Sequence, residues 1–203
     1  SAALAALLAR TRELKRGEFQ HLLTAAPERQ PKLYLMEPYN PRKEPLLMIH
    51  GLLDSPLKWA QLTNELFADP EMMRRYQVWH FLYNTSAPAL YPGRILRGQL
   101  RDLRRELDPG LDDPASRRTT LVTHSMGGIV ARGLITDPGR AFEKAAFTRP
   151  IASLDLSAED RAMLNDAFFW KPDPTVRRVI FIAVPHRGSD LADRWTGRLG
   201  QRL

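Results

Sequence analysis

The sequence of 203 residues contains no cysteine. That excludes a disulfide framework, a thiol nucleophile and any zinc site built on thiolates. It also lacks an unbroken apolar run near the roughly 18 residues that a membrane-spanning helix requires. No block of five or six like charges, no internal repeat, no low-complexity tract and no nucleic-acid-binding motif is present. Metal-ligand spacing of His or carboxylate residues is absent too, so neither a metal nor another cofactor is expected. Nor is the chain poor in core-forming residues. With 43% hydrophobic and 26% charged side chains it has globular composition, enough for one domain, 1–203.

What the chain has in excess is positive charge. Lys and Arg number 30 against 23 Asp and Glu, a formal net charge of +7, carried mostly by arginine and spread along the chain. This reads as a generally basic surface, with no nucleic acid as partner and at most peripheral contact with an anionic membrane surface. The numbering opens at Ser1, which suggests a processed or trimmed chain. Ala2 to Ala9 is apolar but has neither the charged start nor the cleavage pattern of a signal peptide, and is read as an amphipathic helix running through Leu14.

Four short apolar runs predict buried strands: Leu46–Ile49, Gln77–Tyr83, Thr119–Thr123 and Arg178–Val184, with Leu33–Met36 as an edge strand. Runs without polar alternation suit a parallel sheet covered on both faces. Helical patterns fall between them. Ser55 with Pro56 starts one, expected to carry Trp59, Leu62, Leu66 and Phe67 inward. In another, Leu96, Leu100, Leu103 and Leu107 form one stripe, and Arg94, Arg97, Arg101, Arg104 and Arg105 are assigned to a solvated face. Strict alternation of strand and helix predicts an α/β fold with a doubly wound, mostly parallel sheet. One connection, about 137–176, is far longer than usual. It holds a capping-box pattern at Ser157-Ala158-Glu159-Asp160 and a helix ending in Phe168-Phe169-Trp170. It reads either as a cap over the carboxyl ends of the strands or as a surface excursion pinned by its aromatics.

The chemistry concentrates at Thr123-His124-Ser125-Met126-Gly127-Gly128, between a buried strand and an amphipathic helix. A nucleophilic serine must stand clear of the sheet on a tight turn, so its neighbours must be small, and the following helix points its positive end at a developing oxyanion. Ser125 is therefore the candidate nucleophile. His80, within an apolar strand, reads as a satisfied core histidine, His21 shows no partner, and His124 is expected to pack beneath the turn.

This hexapeptide resembles the nucleophile elbow of the α/β-hydrolase superfamily, in its bacterial lipase and esterase branch, with Thr123 where the pattern has Gly. Met48-Ile49-His50-Gly51-Leu52-Leu53-Asp54-Ser55 resembles the His-Gly segment that supplies an oxyanion donor. Phe181-Ile182-Ala183-Val184-Pro185-His186-Arg187-Gly188-Ser189 resembles the Thr-Pro-His-Arg-Gly-Ser segment, with Val184 in the place of Thr. The resemblance implies a serine hydrolase of small-molecule or lipid esters working through an acyl-enzyme on Ser125, with the N–H groups of Leu52 and Met126 as oxyanion hole. It gives His50 a structural role and makes His50, Leu53, His186, Phe168, Phe169 and Trp170 candidates for the pocket wall. It further implies a fold of α/β-hydrolase type lacking its last strands, an N-terminal portion with a cap-like insertion, whose acid and base stand elsewhere. A bacterial cell-envelope location is the matching expectation. Amidase or acyltransferase chemistry on the same elbow, a catalytically inactive binding module on this fold, and a basic scaffold for nucleic acid or anionic lipid are the alternatives.

Overall fold

The computed structural model describes residues 31–87 and 89–187. The helix expected from Ala2 to Leu14, His21, and the segment Gly188–Asp190 lie outside the described residues. Five strands form one sheet: β1 (Lys32–Leu35), β2 (Glu44–Ile49), β3 (Tyr76–Leu82), β4 (Thr119–His124) and β5 (Val176–Ile182), in the order β1-β3-β2-β4-β5. β1 is antiparallel to β3 and the other pairs are parallel. The outer side of β1 is covered at one point by Gln99, whose Oε1 accepts from Leu33 N at 2.8 Å. That blunts one exposed edge donor.

Side chains alternate across β2, β3 and β4, and both faces of these strands are buried. β5, expected as a buried strand, is the last in the sheet and is largely exposed, with Ile180 at 47%, Phe181 at 38% and Ile182 at 41%. Leu47, Ile49, Trp79, Phe81 and Leu121 join one core cluster with Leu96, Leu100, Val130, Ala131 and Leu134. Met48, Val78, Leu82 and Val122 join the other with Met36 and Trp59. The first face is covered by α3 (Leu90–Leu107) and α5 (Met126–Ile135), the second by a 3-10 turn (Pro56–Trp59) running into α1 (Ala60–Ala68). A short helix, α2 (Pro70–Arg75), is capped by Asp69, which accepts from Glu71 N and Met72 N, and leads into β3. A single turn, α4 (Pro114–Arg117), precedes β4. The fold is α/β with a doubly wound, mostly parallel sheet.

The helices depart from the sequence pattern in three respects. The Ser55–Pro56 start opens as a 3-10 turn, with no side-chain cap from Ser55. From Trp59 onward the chain is regular α-helix, and at about 100° per residue Trp59, Thr63 and Leu66 fall within about 60° of one another and form the inward stripe. Leu62 and Phe67 are left exposed, at 38% and 39%. In α3 the stripe ends at Leu103, which packs on the core, while Leu107 is 40% exposed. The arginines of α3 do not form one solvated face. Arg94 Nε pairs with Asp166 at 2.5 Å, Arg97 donates to the carbonyls of Gly133 and Asp166, and Arg104 pairs with Asp173 at 2.6 Å, both side chains nearly buried.

These arginines dock the long connection. It contains α6 (Ala141–Ala146), a 3-10 turn (Ile151–Ser153) and α7 (Ala158–Phe168). Buried Glu143 accepts from Arg140 Nε and Ile151 N, and those donors hold its carboxyl below the usual carboxylate range. Ser157 Oγ accepts from Asp160 N at 3.0 Å, as the capping pattern predicts. Asp173 N then donates to Leu134 O, tying the return to the end of α5.

Candidate active site

The sheet reverses its winding between β2 and β4. The helix after β2 covers one face and the helix after β4 covers the other, so the topological switch point falls at the carboxyl ends of these two neighbouring strands. Sites of α/β proteins lie at such switch points. Ile49 is in register with Thr123, which brings the loop Gly51-Leu52-Leu53 beside Ser125.

Ser125 sits between β4 and α5 with φ 50° and ψ −124°. A non-glycine residue in this region costs of order 1–3 kcal/mol and persists only where its surroundings over-determine it. Here they do. Ser125 N donates to Ile182 O at 3.0 Å, and Gly128 N donates to Ser125 O at 3.0 Å. Thr123, in the position of the expected Gly, is buried, with Oγ1 donating to Ile180 O at 3.1 Å. Its branched side chain thus faces β5 and leaves the turn open.

Two glycines permit the close approach of β2 and α5. A Cβ on Gly127 would stand 2.3 Å from Ile49 O and 2.5 Å from His50 O. A Cβ on Gly51 would stand 2.9 Å from both Ser125 Cβ and His124 Nδ1. Met126 opens α5, and the first N–H groups of a helix have no intrahelical acceptor. Leu52 N likewise has no acceptor among the described residues.

His50 is fully buried and stacks on Tyr83 at 4.4 Å. Its Nε2 accepts from Tyr83 N at 3.4 Å and its Nδ1 donates to Gly51 O at 3.0 Å, while Tyr83 Oη donates to His50 O at 2.7 Å. Only the Nδ1–H tautomer satisfies both partners. Burial lowers the imidazole pKa to about 4, so the ring is neutral at pH 7 and props the loop. Burial also raises the Tyr83 phenol above its ordinary value.

Leu53 continues this loop at φ 54°, with its N–H on Thr85 Oγ1 at 3.1 Å and its side chain 68% exposed. Neither the strain at Leu53 nor its bond to Thr85 has a signal in the sequence. Ala183, at φ 49°, ends β5 one residue before Val184, whose side chain lies where a Cβ on Gly128 would fall. His186 is exposed and packs edge-on against Phe181 at 4.7 Å. His80 bonds Thr63 Oγ1 through Nε2 at 3.0 Å, but its Nδ1 has no partner among the described residues, so it is only half satisfied. Burial lowers its pKa to about 4.

The aromatics of the long connection engage the helical layer. Phe168 packs on Phe147, and Trp170 stacks on Phe142 beneath the Arg97 guanidinium at 4.5 Å. None of the described contacts brings Phe168, Phe169 or Trp170 to Ser125. No cluster of three metal-ligating side chains occurs among the described residues. No helix among them is long and apolar enough to cross a membrane.

No protein-family model matches the chain, and no curated protein sequence does. Among solved structures it is similar to the mature lipase BlEst2 of Bacillus licheniformis, at 21% identity and TM-score 0.46, covering 85% of this chain and 56% of that one. It is also similar to esterase 2 of Thermogutta terrifontis phosphonylated by sarin, at 15% identity and TM-score 0.47, covering 85% and 58%. The same esterase with butyrate bound gives 16% identity, TM-score 0.45, and coverage of 85% and 58%. The chain thus spans less than two thirds of the length of each.

Proposed function

We propose that the protein is a serine hydrolase of carboxylic esters that works through an acyl-enzyme on Ser125. The observation that carries this reading is the backbone of Ser125, a non-glycine residue held at φ 50° and ψ −124° at the switch point between β2 and β4. A nucleophile that must project from a strand-to-helix turn accounts for such a backbone.

In the proposed reaction Ser125 Oγ attacks the ester carbonyl as a base removes its proton. The N–H groups of Leu52 and Met126 hold the oxyanion, aided by the positive end of α5. The alcohol leaves, and water releases the acyl group by the reverse sequence. Pre-organisation comes from His50 and Tyr83, which fix the Leu52 loop, and from Gly51 and Gly127, which let it approach. His50 is no base, being neutral with both nitrogens engaged. We assign His186 to the turn after β5, not to general-base duty, because its ring rests on Phe181. Exposed Leu53, on the loop beside Ser125, offers apolar surface that suits a small or lipid-like acyl ester. Hydrolysis of p-nitrophenyl esters tests the reading: Ser125→Ala should abolish turnover with the fold retained, and appreciable residual turnover by pure protein would overturn it.

A further inference from the structure

At the opposite end of the sheet, the amino ends of four neighbouring strands surround a cleft of about 290 Å³, lined by Glu44, Arg75, Arg118, Thr120, Arg177 and Arg178. Each strand contributes. Arg75 closes α2 just before β3, Glu44 opens β2, Arg118 and Thr120 flank the start of β4, and Arg177 and Arg178 belong to β5. Thr120, in the cleft wall, stands five positions before Ser125 along β4, roughly 17 Å at the rise of a strand.

A defect in the sheet assembles this cluster. Consecutive residues of a regular strand point to opposite faces, so Arg177 and Arg178 would part company. Thr119 pairs with Val176, but Thr120 pairs with Arg178, so Arg177 is an extra residue in the ladder. Such a bulge re-aims side chains, and here both arginines line the same cleft. Arg177 Nε is anchored on Arg117 O at 3.2 Å, and Arg75 is stacked over Tyr76 at 5.0 Å.

The charges do not balance. Four guanidinium groups face one carboxylate, and the ion pairs that Glu44 makes are long, 3.8 Å to Arg75 and 3.6 Å to Arg118. Arg178 has no carboxylate partner among the described residues. A single carboxylate ligand would satisfy one fork. A tetrahedral dianion offers oxygens to several, and planar guanidinium groups match its edges in pairs.

We propose that this cleft is a binding site for a phosphate dianion, presented either by a soluble phosphate ester or by a lipid headgroup, separate from the Ser125 site. Calorimetric titration of the purified protein with inorganic pyrophosphate tests it, with thermal melts to confirm that each variant is folded. R177S/R178S should weaken binding about tenfold or more. E44Q, which removes the competing carboxylate, should tighten it several-fold. R101S/R105S, which deletes two exposed arginines of α3 outside the cleft, should leave it unchanged. Vesicles of phosphatidylcholine with about one phosphatidate in five lipids separate the sources at about 150 mM salt. Binding that pyrophosphate displaces assigns the site to a headgroup, and pyrophosphate binding without vesicle binding assigns it to a soluble ester. Three results would overturn the proposal: no pyrophosphate binding, equal weakening by the cleft and control variants, or vesicle binding that pyrophosphate does not displace.

Discussion

Replacing Gly127 by alanine should push α5 away from β2. The added methyl would lie 2.3 Å from Ile49 O and 2.5 Å from His50 O, about 1 Å inside ordinary carbon–oxygen contact. Both obstacles are backbone atoms of a central strand and its exit, so neither can rotate aside. Overpacking of this kind costs about 1–3 kcal/mol and occasionally more. The gain in helix propensity, about 1 kcal/mol for Gly to Ala, offsets part of it. Gly98, within α3, is the control. A Cβ there would meet only the Arg101 guanidinium, at 4.0 Å. Gly98→Ala should therefore stabilise by about 0.5–1 kcal/mol. Urea unfolding followed by tryptophan fluorescence should place the two variants on opposite sides of the parent protein. Gly127→Ala should also lose most ester turnover, because the Leu52 loop must move away from Ser125. If Gly127→Ala matches the parent in stability and turnover, α5 does not approach β2 this closely.

Ser125→Gly relieves the strained backbone and should raise stability by roughly 1 kcal/mol, whereas Ser125→Ala should not; equal effects on the urea midpoint would remove the strain argument. His50 and His80 bind protons more weakly when folded than unfolded, so their contribution is complete above about pH 6.5 and is lost as pH falls toward 4. Each is worth roughly 3 kcal/mol at most. A flat stability between pH 7 and 5, measured by urea unfolding, would contradict this, and His80→Gln should shallow the slope. Asp173→Asn should cost about 1–3 kcal/mol because its partner Arg104 is nearly buried, while Asp102→Asn, in an exposed pair, should change stability by less than about 0.5 kcal/mol. His186→Ala should reduce ester turnover far less than Ser125→Ala; equal losses in kcat would make His186 the base.

All five strands were legible as apolar runs bounded by turn residues, since strands buried on both faces, as β2, β3 and β4 are, need no polar alternation; the exposure of β5 leaves no mark in its apolar run. The ends moved by one or two residues where tertiary contacts decide them, as at Ala183, whose positive φ stops β5 before Val184. Ser125 could be singled out as a candidate because Gly127 and Gly128 follow it between strand and helix, and both are held small by close neighbours, Ile49 O and the Val184 side chain. The inward faces of helices were legible only in part. Leu62 and Phe67 lie at the two margins of the α1 stripe and are exposed, while buried Thr63 takes its centre, a placement that no residue type announces. The role of the α3 arginines was hidden for a different reason. Their partners Asp166 and Asp173 lie about 70 residues away, so a charged stripe that looks solvated became a clamp. The bulge at Arg177 depends on strand register, which a single sequence does not encode locally.

The central claim is that Ser125 is an activated nucleophile in the natural protein. Labelling that protein with a fluorophosphonate, followed by peptide mass mapping, tests it most directly. The account predicts a single stoichiometric adduct on Ser125, formed in parallel with loss of ester hydrolysis and absent from Ser125→Ala. An unlabelled Ser125, or an adduct on another serine that tracks the loss of activity, would contradict it.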